Sequence, residues 1–408
     1  GCSQTSSQQG TEQGISSDQT QSKITNKTLN ILWASGGGGE YVDYTAEQLE
    51  KKYPGLKVNI EYNPKAHEVL RPQIISGNPP DIVMVDYSFF DYFGAIQEGA
   101  FTELDKYLDL TIEGEDITIK DKLRSDIVDA VRVNGKAYIL PDNMSMYGIF
   151  YKTLFDEKGW AIPASWDEFM ALCETIKTTE KGIAPFIYPG MYSYYFERSF
   201  FWPCVAALGN GQETIKDLNN LKAGFWKSEP VMETAKRVET MRDKGYFFKN
   251  FISLNHTQSQ MEFINGRAAM IGNGTWLDNE MAGNWPDSFR LMYMPAPVTR
   301  NTSDSKFIYT GGNFFGLPSA AMNKDYIGEF LKIFYSENNR VKIAKENGML
   351  TPVENILKGI SDIVSPSINS ALKASETNNL FVTTYNLWYS ELHETFQNNL
   401  TALVSGSI

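Results

Sequence analysis

Thr28-Leu-Asn-Ile-Leu-Trp33, Leu56-Lys-Val-Asn-Ile-Glu-Tyr62 and Asp81-Ile-Val-Met-Val-Asp86 decide the fold class of this chain. The first is an apolar run of strand length from Leu29 to Trp33, followed by Ser35-Gly-Gly-Gly-Gly39. In the second, Leu56, Val58, Ile60 and Tyr62 alternate with polar residues, the period of a half-buried strand. Helices are expected between these runs. One carries Thr45-Ala-Glu-Gln48, which has capping-box spacing, and runs to about Tyr53, where Pro54-Gly55 breaks the chain. The other covers Lys65–Ser76 and stops at Gly77-Asn-Pro-Pro80. Strands that alternate with helices are joined by crossovers and pair in parallel. Ligands of such sheets gather at the carboxyl ends of the strands, here the loops Ser35–Tyr41 and Asp86–Phe90.

A second α/β segment follows. Gly135–Pro141 reads as a turn and short strand, Tyr147–Tyr151 as a strand, and Ser165-Trp-Asp-Glu168 as a capping box. Residues 257–265 look helical and Gly266–Ile271 extended. Gly311–Leu317 returns as a strand, and a long helix is expected over Asp325–Lys345, ended by Asn347-Gly348. At roughly 150 residues per domain, 408 residues predict two to three domains.

The charge balance narrows the partner. With 37 basic and 49 acidic residues the chain carries −12, so a phosphate backbone would be repelled and nucleic acid is not expected. Aromatics are plentiful at 13%, which points to a neutral ring-shaped or apolar ligand. A sugar ring stacks its C–H face on such rings while its hydroxyls need polar partners. Trp276 follows a strand in Asn273-Gly-Thr-Trp276, Trp202 closes the dense aromatic stretch 191–204, and Trp388 lies in a late aromatic segment.

Catalytic and cofactor chemistry finds little footing. The glycine run lacks the Lys-Ser/Thr of a phosphate loop and the spacing of a dinucleotide fingerprint. His67, His256 and His393 do not cluster with one another or with cysteines, so neither metal nor cofactor is expected. Asp86, Asp142 and Glu40 fall in loops that could face a cleft, which suits a carboxylate pair of a glycosidase and equally suits hydrogen bonding to sugar hydroxyls. Spacing does not separate the two. Cys173 and Cys204 sit in apolar runs and read as buried thiols. Cys2 precedes a polar tail through residue 27 that is too poor in apolar groups to form a core. Gly1-Cys2 with that tether resembles the end of a bacterial lipoprotein signal, in which the cysteine is lipidated.

From Leu29 onward the chain resembles the extracellular solute-binding proteins of carbohydrate ABC importers, the maltose-binding-like family. The resemblance is carried in order by Ser76-Gly-Asn-Pro-Pro-Asp81, Gly99-Ala-Phe-Thr-Glu-Leu-Asp105, Asn134-Gly-Lys136 with Leu140-Pro141, and Tyr151-Lys-Thr-Leu-Phe155. Trp166-Asp-Glu-Phe169, Phe263–Ile271 with Gly274-Thr-Trp276, Met294-Pro-Ala-Pro297, Gly311-Gly312 and Asn347-Gly348 continue it. It implies a two-lobed periplasmic-binding-protein fold of type II, each lobe a mostly parallel sheet flanked by helices, with a hinge between them. The implied lobes are residues 28–142 with 313–348, and 143–312 with 349–408. The implied function is a non-catalytic, monomeric, lipid-anchored receptor on the outer face of the cytoplasmic membrane. It would deliver a mono- or oligosaccharide to an ABC permease. The cleft residues implied are Glu40, Tyr41, Asp86, Tyr87, Asn143, Trp276, Gly312 and Asn313, with Trp202 and Trp388 as stacking rings. The stretch around His67–Pro72 and Pro79-Pro80-Asp81 is most similar to binders of amino sugars.

Overall fold

The computed structural model describes residues 27–34, 39–112 and 114–408. Cys2, the tail through Asn26 and the Ser35–Gly38 part of the glycine loop lie outside these residues. β1 (Thr28–Trp33), β2 (Lys57–Tyr62) and β3 (Ile82–Met84) form, and β1 pairs in parallel with both neighbours. A short hairpin joins β4 (Thr111–Ile112) to β5 (Ile117–Thr118). β6 (Ile139–Pro141) leads through a first crossover into β7 (Ser145–Lys152). There follow β8 (Ala184–Ile187), β9 (Ala268–Gly274), β10 (Leu291–Met294) and β11 (Phe307–Gly311). A second crossover then leads to β12 (Phe314–Gly316), and β13 (Asn379–Phe381) comes last.

These strands form two main sheets, β2-β1-β3-β12-β6 and β13-β11-β7-β9-β8, with β10 added beside β7. Each sheet has a single strand running against the rest. In the first it is β12, antiparallel to β3 and β6. In the second it is β7, antiparallel to β9, β10 and β11. Both reversed strands enter directly from a crossover. A chain that arrives at the carboxyl edge of a sheet has to run away from that edge, which reverses its direction. The carboxyl ends of β6 and β11 therefore lie at the two crossovers, where a ligand site belongs in such sheets.

Local structure departs from the sequence reading in two places. The first helix spans Val42–Lys52, so Thr45 is internal and caps nothing; its hydroxyl accepts from Asn339 Nδ2 at 3.0 Å. The long helix expected over Asp325–Lys345 is two, Ile327–Phe334 and Glu337–Asn347, because Ser336 turns extended and caps the second through Asn339 N. Gly348 does end that helix, in the left-handed conformation at φ 66°. The chain then stays against the first sheet's helices. Met144 N donates to Leu350 O at 2.8 Å, Arg124 N to Pro352 O at 3.0 Å and Arg340 Nη1 to Ile356 O at 2.8 Å. Helix Pro366–Thr377 lies against the second sheet, its Ser370 Oγ accepting from Tyr293 N at 3.0 Å.

Ser165 caps helix Trp166–Thr179 as expected, its Oγ accepting from Glu168 N at 3.2 Å. That helix buries Phe169, Cys173 and Ile176 against the second sheet, where Phe186, Phe196 and Phe200 complete a ring cluster. Aromatic pairs of this kind contribute about 0.5–1.5 kcal/mol each beyond the area they bury. Cys173 and Cys204 are both buried free thiols. Among the described residues no helix is long and apolar enough to cross a membrane.

Candidate functional site at the crossovers

The two crossovers touch. Asp142 N donates to Asn313 O at 2.9 Å, and Asn313 N donates to Asn143 Oδ1 at 3.1 Å, across 170 residues of sequence. Gly312 passes so close that a Cβ there would stand 2.1 Å from the Asn143 carbonyl oxygen, so no side chain fits. Asn143 Nδ2 turns the other way and donates to Asp142 Oδ2 at 3.1 Å, an oxygen that also accepts from Tyr41 OH. Tyr41 is thus buried, with its hydroxyl tying the loop after β1 to the first crossover rather than facing a ligand. Asp142 is 2% exposed, and its Oδ1 has no partner among the described residues. Burial raises its carboxyl to about 7, and the hydrogen bonds from Tyr41 and Asn143 only partly oppose the rise.

The other side of the site is a wall of rings on the second sheet. Tyr147 of β7 meets Trp276 edge-on at 5.0 Å and Tyr309 of β11 at 5.6 Å. Trp276 also meets Tyr195 at 5.9 Å. The tryptophan ring lies against Gly274, where a Cβ would be 2.2 Å from ring atoms, so the last residue of β9 must be glycine for the ring to settle there. Trp276 remains half-buried. From the loop after β3, the half-buried Tyr87 comes near Tyr147, Tyr309 and Arg198. Asp86 beside it is half-buried and accepts from Ser88 N at 2.8 Å, and Glu40 is exposed.

The loop after β8 supplies further rings. Tyr192 stacks on His256 with centroids 4.0 Å apart, and Tyr195 OH lies 2.6 Å from His256 Nδ1. Then Glu197–Phe201 forms a π-helical turn. Such a turn inserts an extra residue and re-aims its neighbours, and it recurs at functional sites. Glu197 is fully buried and accepts from Trp202 Nε1, Tyr385 OH and His393 Nε2 at 2.9–3.3 Å. Arg198, the next residue, has its guanidinium carbon 5.2–5.4 Å from the ring centroids of Tyr147, Tyr194 and Tyr309.

Trp202 therefore does not face the cleft. It is 0% exposed, stacked on Phe396 at 4.9 Å, and belongs to the core beneath the π turn. The segment opens the apolar helix Trp202–Leu208, and the Trp202 ring also meets Phe225, Trp226 and Tyr385. Trp388 is half-buried and packs on Phe93 of helix Tyr92–Gln97 at 5.4 Å, bridging the two sheets' flanking helices. Of the expected set, the structure joins Tyr41, Asn143, Gly312 and Asn313 in one network, and brings Tyr87 to the wall that holds Trp276. Tyr147, Arg198 and Tyr309 were not singled out from the sequence. The one clue was the density of rings around Glu197-Arg198. Among the described residues no group of three or more His, Cys, Asp and Glu side chains is placed to hold a metal ion.

The chain is similar to several known proteins. NgcE of Streptomyces coelicolor, a diacetylchitobiose binding protein, is 27% identical over 377 residues, covering 89% of this chain and 78% of the relative. A multiple sugar-binding protein of Streptococcus mutans is 25% identical over 233 residues, 56% of this chain and 53% of the relative. Among solved structures, a chitin oligosaccharide binding protein superposes with a TM-score of 0.67 at 23% identity, covering 94% of this chain and 95% of that one. Apo RafE from Streptococcus pneumoniae gives 0.69 at 21% identity, with 94% and 97% covered. Likeness at these identities establishes a shared two-lobed α/β fold. The profile of one family, described as bacterial extracellular solute-binding protein, spans residues 33–387, from the last residue of β1 through β13 and across both crossovers; the chain belongs to that family.

Proposed function

We propose that this chain is a receptor that captures a mono- or oligosaccharide between its lobes and delivers it to the permease subunits of an ABC importer. The observation that carries this reading is the ring wall of Trp276, Tyr147 and Tyr309 on the second sheet, with the guanidinium of Arg198 among its rings. The sugar-binding names of the relatives support the same ligand class. The lobes we assign are residues 28–142 with 313–348 and 143–312 with 349–408, the first lobe holding Leu350–Ile356 against it. Glu40, Asp86, Tyr87, Asn143, Trp276, Gly312, Asn313 and Trp388 line the cleft in this reading. A sugar that touches both lobes binds the closed form better than the open one, and only that difference can shift the hinge. The receptor acts as a monomer without catalysis. Cys2 and its polar tether support a lipid anchor on the extracellular face of the cytoplasmic membrane.

The test is incubation with N,N′-diacetylchitobiose, raffinose and a wider glycan panel, followed by thermal unfolding and product analysis. A bound sugar at a hundred times its Kd adds about 2.7 kcal/mol of stability, enough for a clear rise in melting temperature. Cleavage products would replace the receptor with a carbohydrate-active enzyme. Stabilisation by peptides alone would replace the sugar.

A further inference from the structure

Arg198 is unusual in having a fixed charge and few partners. It is partly buried, and it donates through Nη1 to Tyr147 OH at 3.0 Å. Its Nε is buried with no partner among the described residues, where it also forms no ion pair. The neighbouring carboxylate does not serve it, because the π turn points Glu197 into the core, where Trp202, Tyr385 and His393 occupy its oxygens. Nor do the phenols that surround it neutralise it. Burial keeps Tyr147 protonated, pushed up to about 12, and raises Tyr309 as well. A guanidinium carries five N–H donors in a fixed fork and stays charged at any working pH. Three rings surround it and Nε has no partner among the described residues, which leaves donors for a ligand acceptor.

Building on the saccharide-receptor reading, we infer that Arg198 is a specificity-determining residue that donates to an uncharged carbonyl oxygen on the bound sugar, an acetamido group. The surroundings decide between acceptors. A carboxylate would add negative charge beside Glu280, which lies near Tyr194 and Tyr195, and beside the buried Glu197 next to Arg198. An amide oxygen brings no charge, yet it is a stronger acceptor than a hydroxyl. Hydrogen bonds to a charged donor are also the stronger class, so losing the acceptor is strongly discriminated.

Cellobiose and N,N′-diacetylchitobiose share one β-1,4 skeleton and differ in carrying hydroxyl or acetamido at position 2, so calorimetry with both isolates the group. The wild-type chain is expected to prefer the acetylated sugar by at least about 30-fold, the range of a charge-assisted hydrogen bond. Arg198→Met should cut that ratio by about tenfold or more, and Arg198→Lys should restore part of it. Tyr147→Phe, which frees Nη1 while keeping the ring, should lower the ratio by a smaller factor and serves if Arg198→Met does not fold. A ratio unchanged in these variants, with both affinities falling together, would show that Arg198 only supports the wall and would overturn the inference. A preference for cellobiose or for cellobiouronic acid would overturn it too. If the wild-type chain binds no saccharide of the panel, the receptor reading itself falls and the inference with it.

Discussion

Two aromatic clusters lie on either side of one π-helical turn, and they differ in how fully their polar groups are satisfied. Beneath the turn, Glu197 is wrapped by Trp202, Tyr385 and His393, and the rings of Trp202 and Phe396 shut out water. Above it, Arg198 sits among Tyr147, Tyr194 and Tyr309 with one hydrogen bond and a buried Nε that has none. The ring content is similar, yet the closed network can only hold the lobe together, whereas the open one has donors left to give. Aromatic density by itself therefore does not separate core from binding surface; the satisfaction of the polar group in its midst does.

This contrast predicts opposite behaviour for two tryptophans. Trp202→Ala should cost about 3–5 kcal/mol of folding stability, since it empties a fully buried site, and urea unfolding measures it. Trp276→Ala should change stability by about 1 kcal/mol or less but weaken sugar binding by about 30-fold, as loss of an anchoring ring does. If both variants lost stability alone, the ring wall would be core and the comparison would collapse.

The hinge is intermediate between the two clusters, with Asp142 satisfied on one oxygen and bare on the other. Its carboxyl is raised to about 7 from 3.8, so the folded chain keeps a proton that the unfolded chain has released. The stability this proton contributes is complete below the unfolded value and is lost as pH rises towards 7. The loss is on the order of 4 kcal/mol at most. Asp142→Asn should flatten the fall between pH 4 and 7, measured as unfolding free energy against pH; an identical slope in the variant would place the titration elsewhere. A smaller effect is expected inside the closed cluster. Glu197→Gln keeps the shape but replaces the charged acceptor of three donors, and should cost about 1–3 kcal/mol without changing sugar preference.

Much of the scaffold was legible because periodicity and turn chemistry are local. The alternation of Leu56 to Tyr62 gives a strand, Ser165 caps its helix and Gly348 ends another, each through contacts within a few residues. The misreadings share a cause. Thr45 had capping spacing, but its hydroxyl was taken by Asn339, nearly 300 residues away in sequence. The helix over Asp325–Lys345 was broken by Ser336, whose own side chain starts the next turn. Trp202 and Trp276 looked alike as rings in aromatic surroundings, and only the partners supplied by distant segments told them apart.

By itself, the sequence determined the parallel pairing of β1, β2 and β3, the carboxyl-end loops, the acidic net charge and the order of motifs that matches one family. These follow from short-range patterns and from composition. The tertiary structure alone decided that Asn143 and Gly312 meet, that Tyr41 is spent on Asp142, and that Glu197 and Arg198 part company across a π turn. Those outcomes depend on which groups, far apart along the chain, reach one another first in a close-packed interior. A hydrogen-bond partner used in the core is no longer there for a ligand, and no spacing rule records which ones have been used.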